Sequence, residues 1–147
     1  MRFEGKDTIR ASRSEVWKFL TDAQSVSKCT PGLESMEILE PNKKFQALGA
    51  IGLGTVKVKF KTVIEWTELK PPETARMKMS GTAPGSSIDV VSEVHLTDAP
   101  NGSTEIAWSA DVNVVGSIAS LAARLMKPVT AKMTQEFFTC VRKKIEA

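Results

Sequence analysis

Residues 55–66 read Thr-Val-Lys-Val-Lys-Phe-Lys-Thr-Val-Ile-Glu-Trp. A period of two puts Val56, Val58, Phe60, Thr62, Ile64 and Trp66 on one face and Lys57, Lys59, Lys61 and Glu65 on the other. That alternation marks a strand with one dry and one wet side. Such a strand must bury its apolar face against something else. Working outward, Gly49, Gly52 and Gly54 bend a strand at 44–51 into it, and Pro71-Pro72 ends it and turns the chain back. Residues 75–81 then place Ala75, Met77, Met79 and Gly81 inward, with Arg76 and Lys78 outward. Matching inward faces across this hairpin sets Glu65 beside Arg76. Residues 88–97 turn Ile88, Val90, Ser92, Val94 and Leu96 inward. A turn at 98–102 (Asp-Ala-Pro-Asn-Gly) returns the chain through 104–114, with Ile106, Trp108, Ala110 and Val112 on the same side.

Before this meander, residues 2–10 alternate as a strand with Phe3, Gly5, Asp7 and Ile9 on one face. Ser12 and Glu15 form a capping box ahead of Val16, Trp17, Phe19 and Leu20, which predicts a short helix. Thr21 or Asp22 caps a second, Pro31-Gly32 closes it, and residues 36–39 begin the strands. After the meander, 117–145 reads as one helix, with Ile118, Leu121, Ala122, Leu125, Val129 and Met133 as its stripe. Phe137, Cys140 and Val141 continue the stripe, displaced around the axis. Arg142, Lys143 and Lys144 complement the helix dipole at the end. Pro128 removes a hydrogen bond inside this helix, which predicts a kink, two helical segments and an opening at the bend. The fold class is therefore α+β, a single domain over 1–147. About seven antiparallel strands curve around a long C-terminal helix, with two short helices after the first strand. A curved sheet and a rod leave space between them, so the pattern predicts a cavity.

The chain has 147 residues, 41% apolar and 25% charged, with a net charge of +3. This composition excludes a disordered or membrane-spanning chain, and the charge is too small to argue for nucleic acid. The N-terminus lacks the apolar run of a secretory signal, which points to the cytoplasm and to Cys29 and Cys140 as unpaired thiols.

The order of elements is similar to the helix-grip, START-like (SRPBCC) superfamily. Within it the chain resembles the G-subunit family of carbon monoxide dehydrogenase. The resemblance rests on Phe3-Glu4-Gly5, the stretch Glu15 to Asp22, Cys29-Thr30-Pro31-Gly32-Leu33-Glu34-Ser35, Val58-Lys59-Phe60-Lys61, Ala110-Asp111-Val112 and Gln135-Glu136-Phe137-Phe138. It implies an accessory factor for a molybdenum hydroxylase of the carbon monoxide dehydrogenase type, linked to membrane recruitment and to an apolar electron acceptor such as a quinone. Pro128 departs from the family's helix pattern, and a kink there would reshape the cavity mouth.

Among candidate sites, the inward apolar residues carry the expected ligand contacts: Phe60, Ile64, Trp66, Met77, Met79, Val90, Trp108, Leu121, Leu125, Val129, Met133 and Phe137. Tryptophan supplies flat faces and methionine adapts to varied shapes. Asp7, inward by parity, is a candidate for orienting a polar ligand head. Lys57, Lys59, Lys61, Arg76 and Lys78 read as a solvated face that discourages edge pairing, or as a docking patch for anionic lipid or an acidic partner. His95, the sole histidine, falls on the outer face beside Glu105, and Asp89 and Asp111 face each other there as a solvated pair. No zinc-type spacing exists, and Gly49 to Gly54 lacks a nucleotide fingerprint. The expected function is thus a non-catalytic binding protein for a lipid or quinone-like molecule, with no intrinsic cofactor and no nucleic acid. It would be cytoplasmic, and peripheral at the inner face of the membrane if the lysines dock there. Two alternatives stand: a cyclase or aromatase using Asp7 and Ser92, and a recruitment scaffold without a ligand.

Overall fold

A computed structural model describes residues 1–146. Its order is β1 (Arg2–Ile9), α1 (Arg13–Leu20), α2 (Ala23–Ser27), β2 (Leu33–Glu40), β3 (Lys44–Leu53), β4 (Val56–Lys70), β5 (Thr74–Ala83), β6 (Ser86–Ala99), β7 (Ser103–Gly116) and α3 (Ala119–Ile145). The seven strands form one antiparallel sheet in the order β1-β7-β6-β5-β4-β3-β2. This is the helix-grip arrangement that the alternation around residues 55–66 predicts. The strands run longer than their apolar cores, because ladder hydrogen bonds continue into the polar hairpin ends.

Local chemistry sets the helix starts. Ser12 Oγ accepts from Glu15 N–H at 3.3 Å, and Asp22, not Thr21, caps α2 by accepting from Gln24 N–H at 3.3 Å. Helix α3 has no side-chain cap of its own. Instead the β5–β6 turn supplies one: Ile118 N–H donates to Ser86 Oγ at 3.1 Å, and Ser117 N–H donates to the Gly85 carbonyl at 3.1 Å.

The division into two helical segments expected at Pro128 does not occur. Helix α3 runs unbroken from Ala119 to Ile145. Pro128 and Arg124 both lie on its exposed side, so water can serve the Arg124 carbonyl that proline leaves without a donor.

The two cysteines are not free thiols. Cys29 and Cys140 form a disulfide with Cα atoms 5.5 Å apart, which fastens the end of α2 to the last third of α3. These positions are 111 residues apart, and only the folded chain brings them together. Ile9, Val16, Leu96, Ile106, Phe138 and Val141 surround the bridge as the tightest core cluster.

Several outer-face expectations need correction. Glu65 lies opposite Lys78 rather than Arg76. Beyond a bulge between Trp66 and Glu68 it is Glu68 that stands opposite Arg76, which meets Glu68 at 3.3 Å and Glu93 at 3.5 Å. His95 bonds Glu93 and Thr74, not Glu105, because its register neighbours are Thr74 and Ala107; Glu105 instead pairs with Lys6. Asp89 lies opposite Asn113 and Asp111 opposite Val91, so the two carboxylates do not pair; Asp111 accepts from Arg2 at 2.9 Å. Strand β4 is interior to the sheet, so its lysines guard no edge.

The C-terminus of α3 is tied to β1. Arg142 donates to Asp7 at 2.6 Å and to the Thr8 carbonyl at 3.3 Å. Arg10 N–H donates to Glu146 at 2.9 Å, and that bond, aided by the Arg10 guanidinium, holds the Glu146 carboxyl below the usual carboxylate range. A lowered pKa contributes stability that is present above the unfolded-state value and is lost as pH falls through the folded one. Glu146→Gln is therefore expected to melt earlier than the parent at neutral pH. The gap should close on acidification below about pH 4. Equal melting curves at pH 7 would show that the contact contributes nothing.

Candidate functional site

Between the sheet and the helices lies a cavity of about 410 Å³. Its floor is the inner sheet face: Phe45 and Ala47 of β3, Ile64 and Trp66 of β4, Ala75, Met77 and Met79 of β5, Ser92, Val94 and Leu96 of β6, and Ile106 and Trp108 of β7. Its roof is Met133, Thr134, Phe137 and Phe138 of α3. The side wall comes from Trp17 and Leu20 of α1, Val26 of α2, and Thr30, Pro31, Leu33 and Met36 beyond it. The volume falls in the range of small-molecule sites.

The lining is chemically quiet. No charged residue touches it. Thr21 donates to the Trp17 carbonyl, Ser27 to Gln24, Thr30 to Val26 and Ser92 to Ser109, each at 3.0 Å or less. Among the described residues, Thr134 is the one lining hydroxyl with no protein partner. Trp108 Nε1 also lacks a partner but is fully buried, so it cannot reach the cavity. The indole instead lies against Gly5 of β1, where an added Cβ would come within 2.9 Å of Nε1 and Cζ2. All three tryptophans of the chain line the space.

Of the residues expected at the ligand, Ile64, Trp66, Met77, Met79, Trp108, Met133 and Phe137 lie around this cavity. Phe60, Val90, Leu121, Leu125 and Val129 do not line it. They belong to the other half of the interior, under the first half of α3, where Leu53 and Ala122 are buried and Leu125 abuts Gly54. Asp7 is inward as its parity predicts, yet its carboxylate is engaged by Arg142 and does not line the cavity. No residue from Ala119 to Lys132 lines it either, so the opening expected at a bend has no counterpart. A groove of about 540 Å³ between α2 and β2 shares Ser27, Leu33 and Met36 with the cavity.

The side wall is the part of the site that sequence reasoning missed. Trp17 and Leu20 were legible only as the apolar face of a short helix, a pattern that does not say what the face covers.

No helix among the described residues is long and apolar enough to cross a membrane. Among solved structures, a conserved protein from Geobacillus kaustophilus superposes with a TM-score of 0.90 at 26% identity, covering 99% of this chain and 95% of that one. A START superfamily protein from Mycobacterium smegmatis gives 0.76 at 10% identity, covering 99% and 97%. The Zhui aromatase/cyclase from Streptomyces sp. R1128 gives 0.76 at 16%, covering 99% and 93%. The last two share the fold alone. No curated protein matches the sequence. The family model of the carbon monoxide dehydrogenase G subunit (CoxG) matches residues 5–146, and with nearly the whole chain so covered, this chain belongs to that family.

Proposed function

We infer that the protein is a non-catalytic carrier of an uncharged, largely apolar molecule, a quinone or lipid, held between the sheet and the C-terminal half of α3. The observation that carries this reading is the lining itself. A space of about 410 Å³ without a charge, in which every lining hydroxyl but that of Thr134 is already bonded, offers a guest apolar contact and the Thr134 hydroxyl as a donor. A quinone carbonyl suits that donor. Acid–base chemistry of the cyclase kind finds no titratable side chain on the lining, which favours binding over catalysis. Family membership supports a role as accessory factor to a carbon monoxide dehydrogenase-type molybdenum hydroxylase, with the ligand as its link to the membrane.

The test is titration with a short-tailed quinone, read by tryptophan quenching. Met133→Glu, which puts a charge in the roof, is expected to abolish binding. Thr134→Val should weaken quinone binding about five- to tenfold, one net hydrogen bond, while sparing a hydrocarbon probe. Undiminished quinone affinity in Met133→Glu would overturn the reading.

A further inference from the structure

The sheet has two edges, and the C-terminal helix fastens one of them. Beside β1, Arg142 donates to the Thr8 carbonyl, and at the end of that strand Glu146 accepts from Arg10 N–H. Strand β2 forms the other edge. Among the described residues, no hydrogen bond other than those to β3 reaches residues 34–39. Every second residue of an edge strand points its N–H and C=O away from its neighbour, so a row of backbone donors and acceptors stands open here.

The groove of about 540 Å³ between α2 and β2 runs along that row. It is lined by every residue from Leu33 to Ile38, about 17 Å of strand. Side chains alternate between the two faces of a sheet, so a recess touched by consecutive residues must follow the strand's edge. Gln24, Ser27 and Lys28 form the facing wall, and among the described residues no hydrogen bond or ion pair joins them to residues 34–40. Register shifts between Leu33 and Ser35 and between Ile38 and Glu40 bound the regular ladder. They limit an added strand to a few residues and discourage open-ended stacking.

The edge has a chemical signature. Residues 29–42 hold Glu34, Glu37 and Glu40 and no cation. None of the three has an ion-pair partner among the described residues, and Lys28 is the one cation on the lining. Met36 and Ile38 stand opposite Ala47 and Phe45 on the inner side of the sheet, whereas Ser35 and Glu37 face outward.

We propose that this groove takes an extended, basic segment of a partner polypeptide, added as a further strand beside β2. Ladder bonds to β2 supply the hold, lysine or arginine side chains meet Glu34 and Glu37, and aliphatic ones at alternate positions cover Met36 and Ile38. A second copy of this chain is disfavoured, because pairing β2 with itself would set two acidic edges side by side. Ser27, Leu33 and Met36 also wall the cavity, so the bound segment would sit directly against it.

A fluorescein-labelled hexapeptide alternating lysine and valine is the probe. Its polarisation should rise when the protein is added. The glutamate–valine counterpart, and a lysine–valine peptide N-methylated at every residue, should not bind. Glu34→Lys with Glu37→Lys should weaken binding about tenfold, each exposed pair contributing a few-fold. Glu4→Lys with Glu105→Lys, at the far side of the sheet, should leave it unchanged, and both double variants should keep the parent's far-UV circular dichroism. Amide hydrogen exchange gives a readout that charge attraction alone would not move: the outward amides of residues 34–39 should exchange freely in the protein alone and become protected with peptide. No binding of the lysine–valine peptide, equal binding of the N-methylated one, or binding without protection along β2 overturns the proposal. A dimer of the peptide-free protein with these amides already protected would give the edge to a second copy and overturn it as well.

Discussion

Replacing Cys29 and Cys140 together by alanine is expected to cost about 4–5 kcal/mol of stability, the chain-entropy value for a bridge closing a loop of roughly a hundred residues. The bridge joins positions 111 apart, so it restrains most of the unfolded chain. At this domain size the melting temperature should fall by roughly 10–15 °C. The loss should also be felt at the cavity. Thr30 and Pro31 follow Cys29 directly, Phe137 and Phe138 lie within one turn of Cys140, and all four line the space. Scanning calorimetry of the parent with and without a dithiol reductant, beside the double variant, measures the effect. A shift of only a degree or two would mean that the core cluster alone holds α2 to α3.

Gly5→Val should remove quinone binding while leaving the protein folded. Gly5 lies opposite Trp108 on the neighbouring strand, with no room for a Cβ beneath the indole. A larger residue must displace the ring, and the open space beside it is the cavity that the ring lines. The strain of such overpacking is about 1–3 kcal/mol, whereas the ligand loses the volume that Trp108 comes to occupy. Gly52→Val is the matching control, because a Cβ there meets nothing within 4 Å. Normal affinity in Gly5→Val would show that the indole yields in another direction.

Much of this was legible in residues 55–66 and the strands around them. Alternation correctly sorted Ile64, Trp66, Met77, Met79 and Trp108 to the inner face, because a period of two is enforced by the pleat itself. Alternation is silent on position along the strand. Phe60 and Val90 share the inner face with Trp66 and Ser92 but lie under the first half of α3, away from the cavity. Which half of an interior stays open depends on the height at which a helix rides, and no strand pattern encodes that. Alternation likewise does not fix the offset of a hairpin, which here sets Glu65 opposite Lys78. The bulge after Trp66 then brings Glu68 instead of Thr67 opposite Arg76, since one extra residue resets every later pairing. The disulfide and the α1–α2 wall are long-range contacts between short or isolated features, and local periodicity carries no trace of them.

Helix α3 is fastened like a bar bolted at its ends. Ser86 and Gly85 hold its first residues; Cys29, Asp7 and Arg10 hold its last. Between Ala119 and Thr139, among the described residues, no side-chain hydrogen bond or ion pair joins it to the sheet. The middle of the bar rests on greasy contact alone. It can bow outward and settle again without breaking a polar link, so a guest could pass beneath it while every bolt stays tight.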